Sequence, residues 1–399
     1  MFSIPFISPR LPREIRNTSD YKAQMHQFRS LCLATLEKVF RRVSTRLKST
    51  ERRPSAPLGS RILTNPDDIF KHNMWDHVQW TEADKDNAQV KAAKNSKVHI
   101  PLGEQGKFDT EARHYWERFY ELHKGKFFKD RKWLLLEFPE LLPSDSKSQD
   151  SGFDGEKNAR RQELHSHTHF DSSSNHRRLC QDAQLETNEA ALRVSYPGQH
   201  SSFRILEVGC GVGNSVFPIV NNIRENGAFL YCCDFSPCAI QLLKSHPDFD
   251  HSVCHAFVHD VCEEEGSLPF PPQSLDVILA VFVLSSIHPD RMQGVVSRLA
   301  SYLKFGGIFL FRDYGRYDFS QLRFKKGRCL SDNFYVRGDG TCAYFFTKDE
   351  VHGLFSNAGL EEVQNLEDRR IQVNRGKKVS MHRVWMQSKY RKSHPLSPC

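Results

Sequence analysis

Residues 205–214 have the sequence Ile205-Leu206-Glu207-Val208-Gly209-Cys210-Gly211-Val212-Gly213-Asn214. The segment begins with an apolar run that contains one acid, and a turn follows in which every second residue is glycine. Glycine has no Cβ, so a turn of this composition lets the backbone approach a ligand closely. A dinucleotide-binding turn has the spacing G-x-G-x-x-G, whereas position 214 is Asn. The stretch therefore predicts a ligand-binding turn between a strand and a helix, without the dinucleotide spacing.

Around this turn, apolar runs of strand length alternate with segments long enough to form helices. That alternation is typical of a doubly wound α/β sheet. The segment 347–358, followed by Gly359, predicts a helix with a C-terminal glycine stop, and residues 109–123 predict another helix. The predicted strands are 203–208, 228–233, 255–258, 276–284, 308–312, 361–373 and 381–390.

Two acids follow the second and third predicted strands. Asp234 stands 23 residues beyond Gly211, where a carboxylate can accept hydrogen bonds from both hydroxyls of a ribose. Asp260 would place a second carboxylate near the amino group of an adenine. The turn and the two acids together predict a site for an adenosine-containing cofactor.

The first 53 residues are rich in Arg and Ser, and apolar residues recur at helical spacing between basic ones over residues 36–48. A basic amphipathic helix followed by Arg52, Arg53 and Pro54 predicts a mitochondrial transit segment. Glu14 and Glu37 count against this interpretation, because such segments usually avoid acids. The alternative is a basic arm that contacts nucleic acid.

Composition divides the rest of the chain. Residues 58–142 contain four of the five tryptophans and are predicted to be an N-terminal helical extension. Residues 143–200 are Ser, Asp, His, Gln and Asn with few large apolar groups, which predicts a disordered insert. Its alternating His165, His167 and His169 are interpreted as solvated rather than metal-binding. The catalytic domain is predicted over residues 203–390.

Charge and composition exclude several classes of protein. The chain has 56 basic and 48 acidic residues, with a net charge of +8 over residues 1–53, −2 over 54–200, −5 over 201–311 and +7 over 312–399. An acidic middle between basic ends suggests a catalytic core with polyanion contacts around it, although a solvated surface could show the same pattern. No apolar run is long enough to span a bilayer. The 11 cysteines show no Cys-x-x-Cys, so neither a disulfide scaffold nor a metal site is predicted, and reduced intracellular thiols are favoured.

Basic and aromatic residues are interleaved in two clusters. The first spans residues 127–133 and includes Lys129, Arg131 and Lys132, and the second spans residues 312–328. Planar rings and guanidinium groups stack unpaired bases, and basic side chains neutralise phosphates, so the clusters predict an RNA substrate. Each cluster alone could instead be a solvated face over buried aromatic rings. The candidate RNA-binding residues of the C-terminal half are Arg316, Arg323, Lys325, Lys326 and Arg337.

The cofactor turn, residues 207–213, resembles that of the class I S-adenosylmethionine-dependent methyltransferases, and the likeness covers 203–390. It implies a Rossmann-like, doubly wound, seven-stranded sheet. A closer resemblance is to the methyltransferase-like tRNA N3-methylcytidine methyltransferases. Residues 60–64 and 72–76 are most similar to the mitochondrial branch of that family. The other matching motifs are Phe127-Phe128-Lys129-Asp130-Arg131, Cys233-Asp234-Phe235-Ser236, Phe282-Val283-Leu284-Ser285, Arg312-Asp313-Tyr314-Gly315 and 333–341.

The resemblance implies that the extension over residues 58–142 binds RNA and caps the cofactor. The capping contacts are made by a Trp and a Tyr four residues apart, which are Trp116 and Tyr120 here. From the residues alone, this pair could equally be an aromatic core stripe on one helix face. The other cofactor contacts are expected at Gly209, Gly211, Asp234, Asp260, Val261 and Val281.

The resemblance further implies a cytidine at position 32 of the anticodon loop in mitochondrial tRNAs for threonine and serine, with a seryl-tRNA synthetase as a helper. Cytosine N3 has an in-plane lone pair at neutral pH, so we expect positioning to dominate the chemistry. Asp313 is the candidate that accepts a hydrogen bond from the cytosine amine, or else a helix cap or an ion-pair partner of Arg312 or Arg316. Arg131 is the candidate that holds the base or a phosphate. A cytosolic or nuclear RNA methyltransferase, a protein methyltransferase and a non-catalytic RNA-binding protein are the alternatives.

Overall fold

The computed structural model describes residues 59–143 and 195–394. The predicted transit segment, and nearly all of the predicted insert with its three alternating histidines, lie outside the described residues. The strands are β1 (Met74–Trp75), β2 (Phe203–Val208), β3 (Ala228–Asp234), β4 (Cys254–Val258), β5 (Leu275–Val281), β6 (Leu303–Tyr314), β7 (Cys329–Ser331), β8 (Phe334–Val336), β9 (Cys342–Tyr344), β10 (Leu360–Asn374) and β11 (Val379–Lys392). The helices are α1 (Glu82–Ser96), α2 (Leu102–Gln105), α3 (Lys107–Thr110), α4 (Ala112–His123), α5 (Leu134–Glu137), α6 (Val216–Ile223), α7 (Pro237–Lys244), α8 (Pro289–Tyr302) and α9 (Lys348–Ser356).

One large sheet has the strand order β1-β10-β11-β6-β5-β2-β3-β4. Strands β2 to β6 run parallel, and β11 inserts antiparallel between β6 and β10. The strand order reverses at β2, whose neighbours are β3 and β5, and open α/β sheets bind ligands at the carboxyl ends of the strands beside such a point. The predicted doubly wound architecture is confirmed, and the glycine turn leaves β2 at this position.

Within the described ranges, the sheet has eight strands rather than the seven that the resemblance implies. The additional strand is β1, which comes from the N-terminal extension and pairs Met74 with Gln372 and Trp75 with Ile371. A separate three-stranded sheet, β7-β8-β9, was also not predicted. Strands of two or three residues are too short to show an apolar periodicity, and that explains why both were missed.

Two predicted strand boundaries near the site are wrong. Strand β5 ends at Val281 instead of 284, because Phe282 has φ +61° and Leu284–Ser286 form a 3₁₀ turn. Strand β6 extends to Tyr314, so Asp313 lies inside the strand rather than just past it. The N-terminal part of β6 includes the glycine turn at Gly306, which has φ +80°.

The helices cover both faces of the sheet. Strand β5 is buried on both faces, as its near-continuous apolar sequence requires. Buried side chains of α8 and α9 belong to one core, and those of α5 and α6, with Ile240 and Leu243 of α7, belong to the other. The predicted helix at 347–358 is observed as α9, where Thr347 and Glu350 form a capping box and Gly359 follows with φ +77°. The helix predicted from 109 starts at Ala112, because Glu111 breaks it from α3.

Buried ion pairs hold the N-terminal extension against the sheet. The guanidinium of Arg370 on β10 lies 3.2 Å from Asp76 and 2.6 Å from Glu137, both in the extension. It also contacts Asp368, which binds Arg312 of β6. Removing one partner would leave a buried charge without its counter-charge, which is strongly destabilising, so each of these residues depends on the others. The extension and the predicted catalytic domain therefore share one sheet and one buried polar network.

No helix within the described ranges is long and apolar enough to cross a membrane.

Candidate cofactor and substrate cavities

The turn between β2 and α6 is built on glycines with positive φ, namely +60° at Gly209, +53° at Gly211 and +97° at Gly213. A Cβ at Gly209 would come within 2.6 Å of Val283, and one at Gly213 within 2.5 Å of Phe217. Side chains at these positions would therefore clash and strain the backbone. The alternate glycines form a cradle whose backbone is open to a ligand.

Helix α4 brings an aromatic pair to this cradle. The ring centroids of Trp116 and Tyr120 are 5.9 Å apart, and the phenolic oxygen of Tyr120 faces Gly211. Burial, reinforced by the nearby Asp234 carboxylate, raises the pKa of Tyr120 well above its usual value. The helix is tied to α7, since the backbone N–H of Cys238 donates to Glu117. The residues of the expected aromatic pair thus lie beside the glycines.

Asp234 ends β3 and is 5% exposed. One carboxylate oxygen accepts from the N–H of Gly211 at 2.9 Å, and the other accepts from the N–H of Ser236 at 3.0 Å. Burial raises the pKa of Asp234 to about 6, against the lowering effect of these hydrogen bonds. A carboxylate oxygen has more than one lone pair, so each oxygen can accept a further hydrogen bond from a ligand hydroxyl.

The first cavity, of about 480 Å³, adjoins these groups. Of the residues expected to bind the cofactor, six line it: Trp116, Tyr120, Gly209, Asp234, Asp260 and Val261. Asp260 follows β4, where its carboxylate accepts from the N–H of Cys262. The cavity thus has two carboxylates at strand ends, a flanking aromatic pair and a backbone cradle, and these groups fit S-adenosylmethionine.

A second cavity, of about 470 Å³, adjoins the first. The two cavities share Trp116, Tyr120, Gly209, Phe282 and Ser286. The remaining expected cofactor residues, Gly211 and Val281, line only the second. A molecule in the second cavity would therefore meet a molecule in the first across the glycine turn.

Arg131 lines the second cavity and lies against the glycine turn. Its backbone N–H donates to Asn214, and its side chain donates to Ser215. The guanidinium also lies 3.6 Å from the carboxylate of Glu207 and over the ring of Phe282. Glu207 is 1% exposed, and burial raises its pKa to about 7, although Arg131 opposes the rise. The Arg131–Glu207 pair was not predicted, because the partners lie 76 positions apart in the sequence.

The carboxylate of Asp313 is engaged by the protein's own backbone, whereas the sequence predicts that it contacts the cytosine amine. Asp313 is fully buried, and its carboxylate accepts from the N–H groups of Ser285 at 2.9 Å and Tyr314 at 2.8 Å. Burial raises its pKa to about 6. The expected ion pairs of Asp313 are wrong, because Arg312 pairs with Asp368 and Arg316 pairs with Glu350. The carboxylate instead holds the 3₁₀ turn, in agreement with the cap alternative, and Ser285 of that turn lines the second cavity.

The predicted RNA-binding residues separate into three groups. Lys129, Arg131 and Arg337 line the second cavity. Arg316 is half-buried in its pair with Glu350, and Arg323 lies exposed over the ring of Phe319. Lys132, Lys325 and Lys326, like Arg323, are exposed and lie outside the second cavity, and they form the third group.

Sequence reasoning missed one wall of the second cavity. Arg383 and Trp385 of β11 line it, with the guanidinium of Arg383 4.8 Å from the Trp385 ring centroid. The carboxylate of the fully buried Asp318 accepts from Arg383 at 2.8 Å. The alternation of basic and aromatic residues in Arg383-Val384-Trp385 was the signal that could have indicated this wall.

Across 59–143 and 195–394, no group of three His, Cys, Asp or Glu side chains could hold a metal ion.

The strand order and the glycine turn define a class I methyltransferase. A family model described as a methyltransferase domain matches residues 206–309. The chain is 50% identical over 344 residues to tRNA N(3)-cytidine methyltransferase METTL2 of Danio rerio, covering 86% of this chain and 91% of that protein. It is 47% identical to METTL2B of Homo sapiens, over 83% of this chain and 92% of that protein. It is also 48% identical to the mitochondrial METTL8 of Mus musculus, over 60% of this chain and 89% of that protein. The chain belongs to the tRNA N(3)-cytidine methyltransferase family, and its cofactor is S-adenosylmethionine.

Proposed function

We propose that this enzyme methylates N3 of cytidine 32 in the anticodon loop of tRNA. The observation that carries the proposal is the second cavity, which meets the cofactor cavity at Trp116, Tyr120 and Gly209. Its basic and aromatic lining suits an unpaired base extruded from a loop. The names of the relatives state the same chemistry for those proteins.

S-adenosylmethionine supplies an electrophilic methyl group on its sulfonium. Cytosine N3 needs no deprotonation at neutral pH, so the protein's task is to hold the ring with its N3 lone pair directed at the first cavity. Phe282 and Tyr314 line the second cavity with their rings 5.0 Å apart, which offers planar surfaces to a base. We therefore assign catalysis to positioning.

Arg131 is proposed to hold the base or its phosphate directly. A guanidinium has five N–H donors, and those not directed at Ser215 and Glu207 remain for the substrate. Asp313 is proposed as a positioning residue, because its carboxylate fixes the N–H of Ser285 at the cavity wall.

The proposed targets are mitochondrial tRNAs for threonine and serine, with a seryl-tRNA synthetase as helper. The basic segment 1–53 and the similarity to mitochondrial METTL8 support the location. Fusing residues 1–53 to a fluorescent protein should deliver it to mitochondria, whereas a diffuse or nuclear signal would favour the cytosolic or nuclear alternative. The synthetase should co-purify with the full chain, and its absence from the purified fraction would contradict the helper role.

Nucleoside mass spectrometry of tRNA from cells lacking the protein tests the substrate. We expect the N3-methylcytidine content of the mitochondrial tRNAs for threonine and serine to decrease in those cells. In a parallel assay, purified enzyme should methylate tRNA and leave protein acceptors unlabelled. Label in protein instead of RNA would establish the protein methyltransferase alternative.

A further inference from the structure

A groove of about 570 Å³ lies at the turn end of the β10–β11 hairpin. It shares Met74, Lys129 and Gln372 with the second cavity. Strand β1 pairs Met74 directly with Gln372, so two of the three shared residues are neighbours on one sheet edge between the two spaces. The groove is therefore continuous with the second cavity, which is the proposed site of the base.

The groove is lined by hydrogen-bond donors and positive charge. Its polar side chains are Arg61, Lys129 and Arg375, together with the amides of Asn73, Gln372 and Asn374. Among the described residues, no carboxylate lines it. The first cavity contrasts with it, since Asp109, Asp234, Asp260 and Glu263 line that space. Cationic side chains beside neutral amides are the contacts that proteins use for the phosphates of nucleic acids.

Arg375 is held in place at the end of the groove. Its Nε donates to the side-chain oxygen of Asn73 at 2.8 Å, which orients the guanidinium and leaves its terminal N–H donors available. Lys377 and Lys378 follow on the same exposed turn. Within the described part of the chain, neither of these lysines nor Arg375 forms an ion pair with a carboxylate. The turn thus carries three positive charges that no carboxylate neutralises.

We infer that this groove, here called the hairpin groove, binds the phosphates of the nucleotides adjoining the methylated cytidine. The inference rests on the proposed function. A base extruded into the second cavity remains covalently joined to its neighbours, so their phosphates must pass an opening of that cavity. The hairpin groove is such an opening, with the charge that the backbone needs. Because the groove is continuous with the second cavity, where the cytosine is proposed to bind, RNA is favoured over an acidic protein as the occupant.

The variant Arg375→Gln tests this assignment in the full chain. The KM for an anticodon stem-loop RNA should rise about tenfold, and the slope of log KM against log salt should decrease by about 0.7, the value for one single-strand phosphate contact. Affinity for S-adenosylmethionine should stay unchanged. The matched control is Lys244→Gln, an exposed lysine on α7, which should leave both RNA measurements at their wild-type values.

Photocrosslinking of the unaltered protein provides a second measurement. Stem-loop RNA with 4-thiouridine beside the target cytidine should crosslink to a peptide containing residues 372–378. If wild type methylates the RNA while Arg375→Gln keeps the wild-type KM and slope, or the crosslinks lie only elsewhere, the groove assignment is overturned and the proposed function stands. If wild type neither binds nor methylates tRNA, the proposed function itself fails.

Discussion

The phenolic oxygen of Tyr120 lies where it would be 2.8 Å from a Cβ at Gly211, and the next atoms of the ring would be 3.5 Å or more away. The phenolic oxygen of Tyr120, in the N-terminal extension, thus leaves no room for a side chain at Gly211. Through this contact the extension supplies a wall of the first cavity, where we propose that the cofactor binds.

Gly211→Ala should lower the melting temperature and weaken cofactor binding at least tenfold, because it adds this clash to the cost of a positive φ, about 1–2 kcal/mol. Combining it with Tyr120→Phe removes the clashing oxygen, so the double variant should melt above Gly211→Ala alone. Thermal unfolding of the two single variants and the double variant measures the coupling. Strictly additive effects would show that the two residues are not in contact.

Asp234→Ala should weaken S-adenosylmethionine binding by about 2–3 kcal/mol, the cost of losing a charged hydrogen-bond acceptor. Because the pKa of Asp234 is raised to about 6, wild-type affinity should fall as pH drops below about 6 and the carboxylate becomes protonated. Calorimetry from pH 5 to 8 measures both effects. Asp234→Asn should lack the pH dependence, and an equal dependence in that variant would assign it to another group.

Glu207→Gln tests the cost of the buried carboxylate. Burial raises the folded-state pKa of Glu207 to about 7, above its ordinary value of 4.5. The folded protein therefore binds a proton that the unfolded chain releases, and this group's contribution to stability declines as pH rises from about 4.5 to about 7. The melting temperature of Glu207→Gln, relative to wild type, should increase over that range and then level off. A difference that is constant with pH would contradict the shifted pKa.

Much of this arrangement is local in sequence and was predictable. Glycine spacing identified the turn, and strand-length apolar runs placed Asp234 at the end of β3. The remainder depends on contacts between distant segments: Met74 pairs with Gln372, and Arg131 meets Glu207. Asp313 was misplaced for another reason. The apolar pattern does not fix the last residue of a strand, and a difference of one residue decides whether Asp313 lies inside the sheet or beyond it.

Replacing Lys325 and Lys326 together with Gln should flatten the salt dependence of tRNA binding, by about 0.7 to 0.9 in the log–log slope for each phosphate that the variant no longer neutralises. Both side chains are exposed. The control is Lys244→Gln, an exposed lysine on α7 outside both basic clusters, which should leave the slope unchanged. Filter binding at several salt concentrations measures it, and an unchanged slope in the lysine variant would place the RNA elsewhere on the surface.

The most direct test of the account is methylation of a tRNA transcript by the purified protein with labelled S-adenosylmethionine, followed by nucleoside mass spectrometry and mapping of the label. The account predicts N3-methylcytidine at position 32, and no label when that cytidine is replaced by uridine. Label on another nucleoside, or labelling that persists after the replacement, would contradict it.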